Sequence, residues 1–197
     1  MKSKLLHSIV AGVLAVLPMA AVSQVAPEKP PRDLSGPDYK YEAFVGWGYT
    51  SLNQVNQSRS GLQGVSGSIQ RNIGDHFGVK LDGGHYAWSV TSSNPGNPKV
   101  DMFLLGPQVH AHLFEKWSAF LEGSMGGVHT GGVSIEPKMS LAGGFGMGVD
   151  WEHSERWAIR LSGDDIASSF TLVPFQSGDS PHMRWNARAS IGVVYHF

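Results

Sequence analysis

From Tyr41 to its last residue the chain alternates between apolar and polar positions. The pattern is clearest at the end. Trp185, Ala187, Ala189, Ile191, Val193, Tyr195 and Phe197 share one parity; Asn186, Arg188, Ser190, Gly192, Val194 and His196 share the other. Period two predicts a strand with one apolar and one polar face. The same reading gives seven earlier strands: Tyr41–Thr50, Leu62–Asn72, Phe77–Ser89, Val100–Phe114, Trp117–Val128, Ser140–Trp151 and Trp157–Ala167. Pro107 is an irregularity in the fourth, because proline inside a sheet removes a ladder donor.

The connections alternate too. Asn72–His76, Glu115–Lys116 and Glu152–Arg156 are short and polar, whereas Thr50–Gly61, Thr91–Lys99, His129–Lys138 and Ser168–His182 are long and rich in Gly, Ser, Asn and Pro. Short turns at one end and long loops at the other predict an all-β, up-and-down antiparallel barrel of eight strands spanning 41–197.

The two faces decide the solvent. One holds Trp47, Trp117, Trp151, Trp157 and Trp185 with most of the aliphatics; the other holds Lys80, Asp82, Glu122, Asp150, Arg160, Asp164 and Arg188 with many glycines. Eight strands enclose a space just wide enough for side chains. It has no room for five indoles plus the aliphatics, so the apolar face points outward, into lipid. In hydrocarbon every backbone N–H and C=O needs a partner, which a closed barrel supplies. The aromatics gather near strand ends as two interfacial girdles: Phe77, Trp117, Trp151, Trp157, Tyr195 and Phe197 on the short-turn side, Trp47, Tyr49 and Trp185 on the other.

The residues before the barrel agree with export. Lys2 and Lys4 precede an apolar run from Leu5 to Leu17, and Ala21-Val22-Ser23 offers small residues for cleavage before Gln24. This reads as a signal peptide over 1–23; the run is short for a membrane-spanning helix and Pro18 ends it. Residues 24–40 carry Pro27, Pro30, Pro31 and Pro37 among charges, a composition that packs no core and predicts an extended periplasmic leader. A formal charge of −1 leaves no basic footprint for nucleic acid, and the absence of Cys suits an oxidising compartment.

These features resemble the small eight-stranded bacterial outer-membrane barrels of the OmpA/OmpX type, a porin-like group. The terminal Val193-Val194-Tyr195-His196-Phe197 carries most of the resemblance, with Phe103-Leu104-Leu105-Gly106-Pro107 as a second similar segment. The resemblance implies a Gram-negative outer membrane, with short turns periplasmic and long loops extracellular. It implies outer-membrane lipid as the surrounding partner. It also implies that Ile191, Val193, Tyr195 and Phe197 form the signal read by the barrel-assembly machinery. The chain stops at the barrel, so no peptidoglycan-binding domain and no cell-wall anchoring are expected.

Candidate chemistry lies inside. Lys80, Asp82, His110, Glu122 and Arg160 fall at similar depth, with Asp164 and Arg188 one or two pleats higher. Charges enclosed this way must pair or be wet. They predict an ionic network that fills the lumen; the alternative is a narrow passive pore. His110 and His112 share a face and His196 could lie near, but no carboxylate spacing completes a metal site. Asp164-Asp165 cannot act as a carboxylate pair, since neighbours on a strand point to opposite faces. Gly143-Gly144-Phe145-Gly146-Met147-Gly148 lacks the Lys-Ser/Thr and the helix of a phosphate loop. An enzyme acting on lipid A would need a Ser–His pair, and His85 with Ser89 or His129 with Ser134 are the only combinations available. Neither forms a recognisable motif, so no catalysis and no cofactor are expected. The function expected is a structural or surface-contact role, with the loops as contact elements.

Overall fold

The computed structural model describes residues 39–53, 59–89, 97–132, 135–168 and 183–197. The segment read as a signal peptide and most of the expected leader lie outside the described residues. Eight strands form a closed barrel in chain order: β1 (Tyr41–Asn53), β2 (Arg59–Asn72), β3 (Phe77–Ser89), β4 (Lys99–Phe114), β5 (Trp117–Gly132), β6 (Ile135–Glu152), β7 (Trp157–Ser168) and β8 (Arg184–His196). Each pairs antiparallel with the next. β1 closes on β8 from Glu42↔His196 to Ser51↔Ala187. Beyond that ladder Tyr41 and Phe197 exchange two backbone hydrogen bonds of 2.9 Å. No edge is left open, which removes the need for any other cover on the backbone.

The parity of the apolar face is outward. Trp117, Trp157 and Ile191 are 45, 50 and 47% exposed, whereas Glu122 and Arg160 are 7 and 2% exposed. A band of exposed Val, Leu, Ile, Met, Phe and Trp therefore surrounds the wall. The strands run from 12 to 18 residues. A tilted strand of about 9–11 residues crosses a bilayer core, so the longer ones continue past it.

Two connections differ from expectation. The ladder of β1 and β2 continues to Asn53↔Arg59, and that of β5 and β6 continues through Thr130↔Lys138 to Gly132↔Ile135. Most of the expected loop His129–Lys138 is therefore hairpin. The stretch Thr130-Gly131-Gly132 carries no hydrophobic alternation, and its place in the hairpin is held by the backbone ladder. The turns 73–76, 115–116 and 153–156 are short, as expected.

The interior also differs. It holds apolar side chains besides glycines and charges. Leu52, Leu62, Tyr86, Val100, Met102, Leu104, Val128, Ala142 and Ile166 form one buried cluster towards the long connections; Phe44, Ala158 and Val194 form a second towards the turns. Inward glycines make room and let neighbouring backbones approach. A Cβ on Gly192 would meet the Val45 carbonyl and the Phe44 ring, and one on Gly148 would meet the Phe120 ring. The glycine-rich stretch of β6 thus accommodates bulky interior neighbours.

Candidate functional site in the barrel lumen

Three groups of charged side chains occupy the interior, each built across strands distant in sequence. Arg160 on β7 is the most enclosed. Its Nε and Nη2 donate to the two carboxylate oxygens of Asp150 on β6, both at 2.7 Å, and Nη2 also donates to Glu42 on β1 at 2.8 Å. Its guanidinium lies 4.6 Å from the Phe120 ring centre and 5.9 Å from that of Phe44. This is the planar, multidentate, ring-stacked setting that arginine suits and lysine does not. In the second group Arg188 on β8 bonds Asp82 on β3 at 2.5 Å and its strand neighbour Asp164 at 2.9 Å. In the third, Lys80 on β3 pairs with Glu122 on β5. Among the described residues these ion pairs set three cations against five carboxylates.

The structure sorts the residues singled out from the sequence. Lys80, Asp82, Glu122, Arg160, Asp164 and Arg188 all face inward; Glu122 also meets Asp164 beside Gly146, which joins the second and third groups, while the Arg160 group is bonded to neither. His110 joins none of them. It lies between two carboxamides, 3.0 Å from Gln70 Nε2 and 3.4 Å from Gln108 Nε2. Glu42 and Asp150 complete the Arg160 group; the sequence places Asp150 on the charged face, but neither residue is in the predicted network. Their signal is inward parity: Glu42 alternates with Tyr41 and Ala43, and Asp150 with Val149 and Trp151.

The other histidines are dispersed. His112 lies 3.5 Å from Glu152. His196 stacks face to face on Tyr39, ring centres 3.7 Å apart, at the turn end of the lumen. Burial, then the carboxylate of Glu42, pushes the Tyr39 phenol far above its ordinary value. No group of three metal-ligating side chains capable of holding an ion occurs among the described residues. His85 and Ser89 lie four residues apart on β3, about 13 Å along an extended strand, too far for a nucleophile and its base. His85 instead meets Asp101 at 2.6 Å on the outer wall, with His129 3.6 Å from the same carboxylate. Ser134 lies outside the described residues.

On the outside, Trp117 lies opposite Trp151, and Trp157 opposite Tyr195 with ring centres 4.7 Å apart. Tyr195 and Tyr41 both stack on Phe197. This is an aromatic rim on the turn side of β5 to β8 and β1. Ile191 and Val193 extend the same outward face of β8 into the apolar band. Trp47 departs from the expected second rim. It stands six residues up β1 from Tyr41, opposite Val65 and Ile191, midway along the wall. Trp185, 5.7 Å from Phe145, stands higher.

No protein-family model and no curated protein sequence matches the chain. Solved structures do. Neisserial surface protein A superposes with a TM-score of 0.61 at 10% identity, over 80% of this chain and 97% of that one. Ail, the attachment invasion locus protein of Yersinia pestis, gives 0.53 at 10% identity, over 81 and 99%. The outer membrane protein OprG from Pseudomonas aeruginosa gives 0.53 at 9% identity, over 83 and 98%. Identities this low speak for the fold, and the fold is that of eight-stranded outer-membrane barrels.

Proposed function

We propose that the chain is an integral protein of a bacterial outer membrane, with a closed lumen and a structural or surface-contact role carried by its long-loop rim. The membrane reading is supported by the outward band of apolar side chains and by the shared fold. An aqueous surface would not carry Leu141 at 83% exposed and Met125 at 72% within a contiguous apolar belt.

The closed lumen is supported by one observation above the others: the cross-section is occupied at two heights. Towards the turns, Arg160, Glu42 and Asp150 bond to one another from three walls. Towards the loops, Leu52, Leu62, Tyr86, Val100 and Leu104 are 0 to 1% exposed. An ion would have to cross an apolar layer and break a paired one. The short turns are assigned to the periplasm, the loops to the outside, and biogenesis to the barrel-assembly machinery.

Planar-bilayer recording tests the lumen. Purified protein is expected to give rare small openings or none; a stable conductance whose selectivity changes in Glu122→Ala replaces this reading with the passive pore. Orientation is tested separately. The chain has no Cys, so Ser177→Cys in the last connection gives a unique thiol. A membrane-impermeant maleimide is expected to label it on intact cells. Labelling only after lysis reverses the assigned orientation.

A further inference from the structure

The hydrogen-bond ladder between β4 and β5 skips two residue pairs while the barrel stays closed. Leu105↔Met125 and Gln108↔Glu122 are in step, which sets Gly106 opposite Ser124 and Pro107 opposite Gly123, yet neither of those pairs forms. On the β3 side both residues are paired, as Lys80↔Gly106 and Val79↔Pro107. The interruption is therefore specific to one seam, and its cause is the missing proline N–H.

The direction of the lost bond follows from the geometry. Along a strand, successive residues turn their N–H and C=O to alternate neighbours. The Gly123 carbonyl lies where a Cβ on Gly106 would be, so it points at β4. Pro107 is its partner in register. The ladder therefore supplies the Gly123 carbonyl with no donor.

A second feature lies at the same place. Gly123 faces outward, and a Cβ there would meet nothing within 4 Å. The missing side chain, beside the skipped ladder pairs, leaves a groove of about 380 Å³. Val79, Leu105 and Met125 line it, with Pro107 and Gly123 along the seam. Pro107 is six residues from Leu113, the last outward aliphatic of β4, and six from Asp101, its outward charge above Phe103. With a strand rise of about 3.3 Å and a tilt near 40°, that is about 15 Å from either boundary. The groove is near the middle of the apolar band, where lipid tails offer a carbonyl no hydrogen bond.

The geometry points to a binding site for a long acyl chain bearing a hydroxyl partway along it. The methylenes fill the groove between Val79, Leu105 and Met125, and the hydroxyl donates to the Gly123 carbonyl. This inference rests on the membrane reading given above. It adds a ligand class: a free long-chain hydroxylated fatty acid.

The test uses the folded barrel in phosphatidylcholine nanodiscs with ¹³C-carbonyl glycine. The Gly123 resonance is assigned by its loss in Gly123→Ala. The probes are 12-hydroxyoctadecanoic acid and octadecanoic acid, which differ by one hydroxyl. The hydroxy acid is expected to shift the Gly123 carbonyl saturably, at a concentration at least fivefold lower than the plain acid. Pro107→Ala restores the N–H and is expected to abolish the shift; Val79→Phe, which fills the groove and keeps the Gly123 label, is expected to do the same. Equal responses to the two acids, no response, or an undiminished response in either variant overturns the site. Failure of the protein to insert into bilayers at all, read independently by heat-dependent gel mobility, overturns the membrane reading instead.

Discussion

Replacing Arg160 by Ala should be the most damaging single change in the lumen. The guanidinium makes three charge-assisted hydrogen bonds of 2.7 to 2.8 Å to Asp150 and Glu42, and is 2% exposed. Each such bond is worth about 1.5–3 kcal/mol, but they act as a unit and do not add. The larger effect is what remains: two carboxylates 2 and 6% exposed with their cation gone. Removing one partner of a buried ionic group costs about 3–5 kcal/mol. A loss of about 4 kcal/mol is roughly a thousandfold in the folding equilibrium. The assay is denaturant unfolding in lipid vesicles, followed by tryptophan fluorescence and by gel mobility of the unheated sample. The argument makes a sharper demand on the combination Arg160→Met, Glu42→Gln, Asp150→Asn. Its lumen carries no stranded charge, so most of the lost stability should return. If Arg160→Ala costs under 1 kcal/mol, or if the triple variant is no better than the single one, the pairing is not what determines stability here.

Further expectations follow from other parts of the molecule. Gly192→Ala should destabilise by about 1–3 kcal/mol, since its Cβ would meet the Val45 carbonyl and the Phe44 ring, while Gly123→Ala, with open space at its Cβ, should stay within about 0.5 kcal/mol; unfolding midpoints compare them. Tyr39 carries a pH signature: its phenol is held protonated by burial, so the stability it contributes is complete below the unfolded phenol value near 10 and is lost as pH rises above it. Tyr39→Phe should therefore flatten the fall of stability between about pH 10 and 12 relative to the parent chain. Phe197→Ala removes the ring on which Tyr41 and Tyr195 stack but keeps the backbone bonds to Tyr41. It should fold in detergent nearly as the parent does, yet give less assembled barrel in cells; equal amounts in both settings would sink the assigned assembly signal.

The sequence made the strands and their faces legible because burial in this fold has period two, and that period survives eight times. It hid the interior apolar layer for the same reason. In Phe103-Leu104-Leu105 both parities are apolar, so alternation cannot show that Leu104 faces in, 1% exposed, while its neighbours face lipid at 63 and 51%. The partners of the inward charges were hidden differently. Depth along one strand is readable, but the stagger between strands is not, so Asp82 looked level with Arg160 and is bonded to Arg188. The hairpin ends beyond Thr130 were missed because ladder bonds leave no compositional trace.

The arrangement of the lumen has a consequence for how the register of the barrel is set. The outward band is uniformly apolar, so a slip of two residues in any one strand would cost little at the lipid surface. Inside, the same slip would move Arg160 past Asp150 and Glu42, set Arg188 opposite Ser162 instead of Asp164, and bring bulky side chains against the positions that glycines keep clear. Each consequence leaves a buried charge unpaired or a backbone clash, at several kcal/mol each. The paired charges need not make the barrel more stable than an apolar filling would. They make one register far better than its neighbours, which is the best-attested use of buried polar groups. On this argument the triple variant without lumen charges at Arg160 should regain stability yet show heterogeneous strand pairing, read as extra amide resonances along β1, β6 and β7.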